Sequence, residues 1–503
     1  MKRIATLFLA AGLLFSTITG ASAIDFKAMG QWRMGFGVSE ISPIKQYRKS
    51  DSASQTKGSK EDIFQAAQRL RIQLDAVASE ALSGTVYFEI GTMQWGKSKN
   101  GAALGADGSD QIKLKRAYLD WVVPQTEIGF RMGIQGVELP KVAGGSAVMK
   151  TDVAGVAASY KFNENWGATA LWARPLNDNY DGGDNPAHKN YLDNMDLFIL
   201  TVPMQFGGIS ATPWVMYGMI GANALDGYKD SWSTADGNLD YTLRPYPNMT
   251  GGKNIGNTSK GYGNAVWFGL PLTLSLWDPL KIEVDLNYGY VESMGRFDAQ
   301  KNGVVKRSCT ERQGFVGKAL VEYKLDWGAP GIFGWYGTGD SGNPKNGSGR
   351  MPSIVPNGSL TSFMGDGNMG WIRQDFNVSY SGSWGIGAQM RNLGFIDDLT
   401  HTLRVAYWGG TNSTNMVKYM DSAYAWSGGW NKSDGPYLTT NDGLLEFNLI
   451  NSYKIYENLE MNIELDYIAN FMDNDTWKKA GARNTSFDKQ DVWKAQIIFE
   501  YTF

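Results

Sequence analysis

Six basic residues share one parity with the wet positions of four short segments. Lys27 and Arg33 alternate with Phe26, Ala28, Trp32 and Met34. Arg69 and Arg71 alternate with Leu70 and Ile72, Arg116 with Ala117, and Arg131 with Phe130 and Met132. Successive strand side chains point to opposite faces, so these cations would line one surface while the apolar residues line the other. A row of guanidinium groups breaks no bonds. In a narrow passage with low-dielectric walls it sets an electric field and sorts ions by sign. The bland alternative is that each arginine pairs with a neighbouring carboxylate in the same wall.

Other chemistry is poorly provided for. Nucleophilic catalysis needs a nucleophile and an adjacent base. The chain has only His188 and His401, one in a long polar stretch and the other beside a short turn, so the pattern puts them at opposite ends and excludes a Ser-His pair. Asp181-Gly182-Gly183-Asp184-Asn185 looks like a loose calcium loop but lacks the twelve-residue spacing and closing Glu. Gly334 to Gly339 has no phosphate-loop Lys-Ser/Thr. Cys309 is the single cysteine, which rules out an internal disulfide and falls in a long connection. No catalytic residue, metal or cofactor is expected.

The elements that must carry the basic row are long strands. Leu280, Ile282, Val284, Leu286 and Tyr288 oppose Lys281, Glu283, Asp285 and Asn287; Met461, Ile463, Leu465 and Tyr467 oppose Glu460, Asn462, Glu464 and Asp466. The segments run to about ten residues or more, the length of a tilted membrane-spanning strand. Trp121, Trp166, Trp277, Trp327, Tyr453 and Tyr456 sit at segment ends, as in an interfacial girdle. Backbone left without partners in a bilayer is costly, so such a sheet must close. Connections alternate between short, as at Pro124-Gln125 and Trp277-Asp278-Pro279, and long, over about 39–61, 95–110, 138–152, 175–193, 221–261, 293–311, 338–370, 411–440 and 471–489. This predicts an all-β, closed antiparallel transmembrane barrel with short periplasmic turns and long extracellular loops. Eighteen strands fit best and sixteen are the alternative, since Ser381-Gly382-Ser383 could bend one strand or separate two.

Composition agrees once it is split by parity. A mean hydropathy of -0.31 with 61 Gly among 503 residues suggests a soluble chain, but only alternate strand positions would face lipid. Lys2 and Arg3, the apolar run Ile4–Phe15 and Ala21-Ser22-Ala23 form a secretory signal with an A-x-A site. Residues 1–23 are therefore expected to be removed, leaving 24–503 as one barrel domain. Losing Lys2 and Arg3 takes the formal charge from -3 to -5, which argues against nucleic acid as a partner.

Ile24-Asp25-Phe26-Lys27-Ala28-Met29-Gly30-Gln31-Trp32, with the ending Ile498-Phe499-Glu500-Tyr501-Thr502-Phe503, resembles the bacterial outer-membrane trimeric porins. The likeness is closest to the homotrimeric porins of sulfate-reducing bacteria. It implies a homotrimer among outer-membrane lipid and lipopolysaccharide, with Tyr501 and Phe503 in a signal for the barrel-assembly machinery. It also implies that a loop after the fifth strand narrows each pore. The candidate here is 136–152, with Glu138, Lys141, Lys150 and Asp152 as its charged residues. It is Gly/Ala-rich and short of carboxylates where such loops are usually acidic, so a neutral or weakly anion-favouring opening is expected. The function implied is passive diffusion of small hydrophilic solutes and ions. The alternatives are a channel specific for sugars or oxyanions, and a structural or adhesion barrel displaying its outer loops.

Overall fold

The computed structural model describes residues 24–40, 44–48, 63–97, 102–105, 112–177, 194–221, 243, 253–257, 262–293, 295–301, 304–366, 379–420, 437–479 and 485–503. The proposed signal segment, His188 and the 181–185 loop lie outside them.

One sheet of twenty hydrogen-bonded segments closes on itself. Its strands are β1 (Asp25–Glu40), β2 (Ile63–Ser79), β3 (Leu82–Gln94), β4 (Ile112–Val122), β5 (Gly129–Glu138), β6 (Lys150–Lys161) and β7 (Gly167–Asn177). Next come β8 (Asn194–Thr201, resuming as Met204–Phe206), β9 (Ile209–Ala211, resuming as Trp214–Gly221), β10 (Tyr262–Trp277), β11 (Leu280–Val291) and β12 (Arg312–Tyr323). The circuit ends with β13 (Ala329–Gly337), β14 (Ser383–Ile396), β15 (Leu399–Gly410), β16 (Gly443–Tyr456), β17 (Leu459–Asn470) and β18 (Val492–Thr502). Proline offers no N–H to a ladder. Pro203 and Pro213 interrupt β8 and β9 at the same level, where the Val202 N–H donates to Pro213 O at 3.0 Å. Counting each interrupted strand once turns twenty segments into eighteen strands. Each neighbours the next in sequence, antiparallel, and β1 closes the ring by pairing with β18 (Trp32↔Tyr501) and β2 (Trp32↔Leu70).

Eight short turns lie at one end and nine longer connections at the other. Ser379–Gly382 belongs to a long connection, so the ambiguous serine-glycine stretch neither bends nor divides a strand; β14 begins at Ser383. Cys309 ends a short loop strand, Val304–Cys309, outside the barrel wall.

The two faces follow parity. Phe198, Phe268, Leu286, Leu403 and Leu465 are exposed on the outside, while Asp285, Lys318, Glu446, Glu464 and Lys494 are buried inside. Trp166, Trp277, Trp327, Tyr453 and Tyr456 are exposed at the short-turn end, and Tyr217, Tyr288, Tyr336, Tyr407 and Tyr467 at the other. Eight residues separate Leu280 from Tyr288; at about 3.3 Å each and a tilt near 40° that is roughly 20 Å, close to the apolar band of a membrane barrel.

One sector breaks parity. From β7 to β10 the inward positions are also apolar: Leu171, Ala173, Met195, Leu197, Ile199, Trp214, Met216 and Trp267, all buried. Inside a barrel such a wall needs a cover, and two loops supply it.

Candidate functional site

β4 and β5 pair only as far as Ala117↔Ile134, and β6 and β7 only as far as Gly155↔Ala173. Beyond those points β5 and β6 leave their wall neighbours and pair with each other, up to Glu138↔Lys150. Their hairpin has left the wall and turned into the lumen. Glycine permits the departure. Gly133 has φ +128, and a Cβ there would meet Ala117 O at 2.3 Å; a Cβ on Gly136 would meet Arg116 Cζ at 2.5 Å.

The inward loop, Leu139–Met149, is held by hydrophobic burial and a few polar ties. Leu139, Val148 and Met149 are buried against the apolar sector. Each well-buried side chain of that size contributes about 1.5–3 kcal/mol. At the tip, the Ala143 N–H donates to Glu283 Oε2 at 2.9 Å on β11. Lys318 of β12, paired with Asp285 at 2.9 Å, donates to Val142 O at 3.1 Å and to Gly145 O.

A second loop, after β13, also enters the lumen, which the sequence reading did not anticipate. Arg312 donates to Arg350 O at 2.9 Å and Met351 O at 3.2 Å, and the Trp267 indole donates to Pro352 O at 2.9 Å. The two loops join as a small ladder. Gly145 and Ser146 pair with Gly358 and Asn357; Ile354 N donates to Val148 O at 2.9 Å and Lys150 N to Val355 O at 2.8 Å. Farther on, the Ser362 and Phe363 N–H groups donate to Asn448 Oδ1 (3.2 Å) and Glu446 Oε1 (3.0 Å) on β16. Lys494 of β18 donates to Ser362 O at 3.1 Å and pairs with Glu464 at 3.1 Å. The signal for this loop was Met351-Pro352-Ser353-Ile354-Val355, an apolar run in an otherwise polar connection.

The basic wall lies inside, and most of it is ion-paired. Arg33 meets Glu500 (2.6 Å), Arg71 meets Glu89 (2.7 Å), Arg116 meets Asp152 (2.6 Å) and Arg131 meets Asp120 (2.7 Å). Arg131 also lies over the Tyr118 ring at 4.2 Å. Arg69 stands opposite Arg33 in register and is only 7% exposed. Lys27 is opposite Asp75 near the short-turn end. The arginine-carboxylate pairs come from cross-strand register, which parity alone does not supply.

On the hairpin the carboxylates are shared. Glu138 meets Lys141 at 2.7 Å and Lys150 at 3.5 Å, and Asp152 meets both Lys115 (3.1 Å) and Arg116 (2.6 Å). Each acid faces two cations, so the local charge is positive. Arg116 therefore does not look across the lumen at the loop; it clasps the loop's base. Beside it lies a cavity of about 460 Å³ lined by Arg131, Asp120, Glu138, Gln135, Leu171 and Ile199. A second, of about 380 Å³, lies between the loop tip and β14–β16, with Lys141, Gln389, Arg391, Thr402 and Arg404 on its walls. His401 bonds Asn451, and among the described residues no cluster could hold a metal ion.

No protein-family model matches the chain, and no curated protein matches it. Solved structures do. Acinetobacter baumannii OccAB2 is 11% identical with a TM-score of 0.50, over 95% of this chain and 98% of that one. Pseudomonas aeruginosa OpdL is 14% identical with a TM-score of 0.47, over 95% and 99%. At such identity the OccAB2 likeness shows the fold: a closed barrel of eighteen antiparallel strands.

Proposed function

We propose that the chain is a channel of the bacterial outer membrane through which small hydrophilic solutes and ions diffuse passively, with a mild preference for anions. The carrying observation is the charged lumen lining in which Glu138 and Asp152 each answer two cations. Barrels of this strand number leave an aqueous passage, and rings of fixed charge in such a passage set ion preference. The apolar outer belt between two aromatic rows supports the membrane setting. Refolded protein in a planar bilayer should conduct without an energy source. Under a salt gradient its reversal potential should have the sign of anion preference. A folded barrel that does not conduct would sink the reading.

A second reading, a channel specific for an oxyanion or sugar, is supported by the cavity that gathers Gln389, Arg391, Thr402 and Arg404. Guanidinium groups favour oxyanions. Block of the current by one solute at low concentration would favour this reading over general diffusion.

The finer likeness, to the homotrimeric porins of sulfate-reducing bacteria, belongs to the same proposal. What supports a trimer is the edge of β4 from Ile112 to Arg116, to which no described strand pairs on the β5 side and where Ile112 and Leu114 are exposed. A neighbouring barrel would cover it. Lipopolysaccharide around the outer belt and recognition of Tyr501 and Phe503 by assembly machinery complete the proposal. Cross-linking in native membranes tests the trimer.

A further inference from the structure

Resting on the channel reading, we propose that the pore is an ionic rectifier, with an acidic ring at its short-turn mouth in series with the basic zone at the inward hairpin. The ring is distributed around the circumference. Seven of the eight short turns carry an exposed carboxylate, and Gly207-Gly208 is the exception. Glu80, Glu127 and Glu164 occupy one arc; Asp278, Asp326, the pair Asp397-Asp398 and Glu457 occupy the rest. Against these acids the turns hold one lysine, Lys324. Of the lysines just inside the strand ends, Lys281 pairs with Glu283, Lys454 lies opposite Glu460 and Lys27 opposite Asp75; Lys161 ends β6 exposed, so eight turn carboxylates stand against Lys324 and Lys161. The long connections mix both signs, as in Asp473, Asp475, Lys478 and Lys479.

The second zone is the hairpin base, where Glu138 and Asp152 are each outnumbered by cations. A solute crossing the barrel therefore meets a positive zone and a negative zone in sequence. Low-dielectric walls focus both fields into the water between them. When the short-turn side is positive, cations enter through the acidic ring and anions through the basic zone. Both then accumulate between the zones and conductance rises. Reversed voltage draws both out of the same space and conductance falls. The device pumps nothing: at zero voltage flux still follows the gradient.

Screening supplies the control. Fixed charges reach about 10 Å at 0.1 M salt and about 3 Å at 1 M. In single-channel recordings at about ±100 mV, the larger current should exceed the smaller by about 1.5-fold or more at 0.1 M KCl and approach parity at 1 M. A variant with Glu80→Gln, Glu127→Gln, Glu164→Gln, Asp278→Asn, Asp326→Asn, Asp397→Asn, Asp398→Asn and Glu457→Gln changes only exposed turn residues. It should bring the low-salt ratio to near one while leaving the high-salt conductance unchanged. A symmetric wild-type channel at low salt, or asymmetry that survives in the variant, overturns the proposal. Absence of any conductance in a folded barrel instead overturns the channel reading, and the rectifier with it.

Discussion

Arg116 holds Asp152 at 2.6 Å where the β5–β6 hairpin leaves the wall. The last β4–β5 pair, Ala117↔Ile134, is one residue away. The ion pair thus bridges a split in the sheet, fastening a loop that backbone pairing has released.

Asp152→Asn removes the carboxylate that answers Lys115 and Arg116. The barrel should still fold, because the apolar seat of the loop is untouched. The reversal potential should move toward anions. An unchanged potential would mean that these charges do not see the permeating ions.

Glu138→Gln frees two lysines at once and should move ion preference the same way. Lys141→Gln with Lys150→Gln should move it oppositely. If both variants shift it in one direction, loop geometry and not charge is responsible.

Replacing Arg69, Arg71, Arg116 and Arg131 with Gln should shift preference toward cations. Because Glu89, Asp152 and Asp120 would then lose partners, the change should exceed that from either hairpin variant. No shift would reject the basic wall as a selectivity element.

Lys318→Met strands Asp285 in a buried place and releases two carbonyls of the loop tip. Breaking one side of such a pair costs about 3–5 kcal/mol. Lower stability against denaturant and a noisier open current are expected. Adding Asp285→Asn should recover much of the stability but not the quiet current. Full recovery of both would show that Lys318 does not hold the loop.

Asp473 caps the short helix Asn474–Trp477, accepting from the Thr476 hydroxyl at 2.6 Å and the Asp475 N–H at 3.2 Å. The Thr476 hydrogen bond, first among its causes, holds its pKa below the ordinary carboxylate value. A lowered folded pKa gives stability that is present above the ordinary value and lost as pH falls through the folded one. Amide exchange over 473–479 should therefore quicken only at strongly acidic pH. Asp473→Ala should weaken the turn by about 1 kcal/mol and abolish that pH dependence.

The barrel was legible because burial on one face of a strand leaves a period of two, and lipid and water enforce it around the ring. Connection lengths gave eighteen strands even with 371–394 ambiguous. The ion pairs were not legible: whether Arg71 meets Glu89 depends on register between strands, and parity is blind to register. The apolar lumen sector was visible as unbroken runs, such as Leu197-Phe198-Ile199-Leu200, but periodicity assigns such a run no partner. The second inward loop shows the same gap. Its apolar run marks burial without naming a destination, which Arg312, Trp267 and Glu446 determine from remote strands.

The ladder joining Gly145-Ser146 to Asn357-Gly358 constrains how the gene can drift. A single codon inserted between Leu139 and Gly145 would slide one loop past the other, turn Val148 and Met149 away from their seat, and move Lys141 off Glu138. Length polymorphism among close relatives should therefore avoid these two loops.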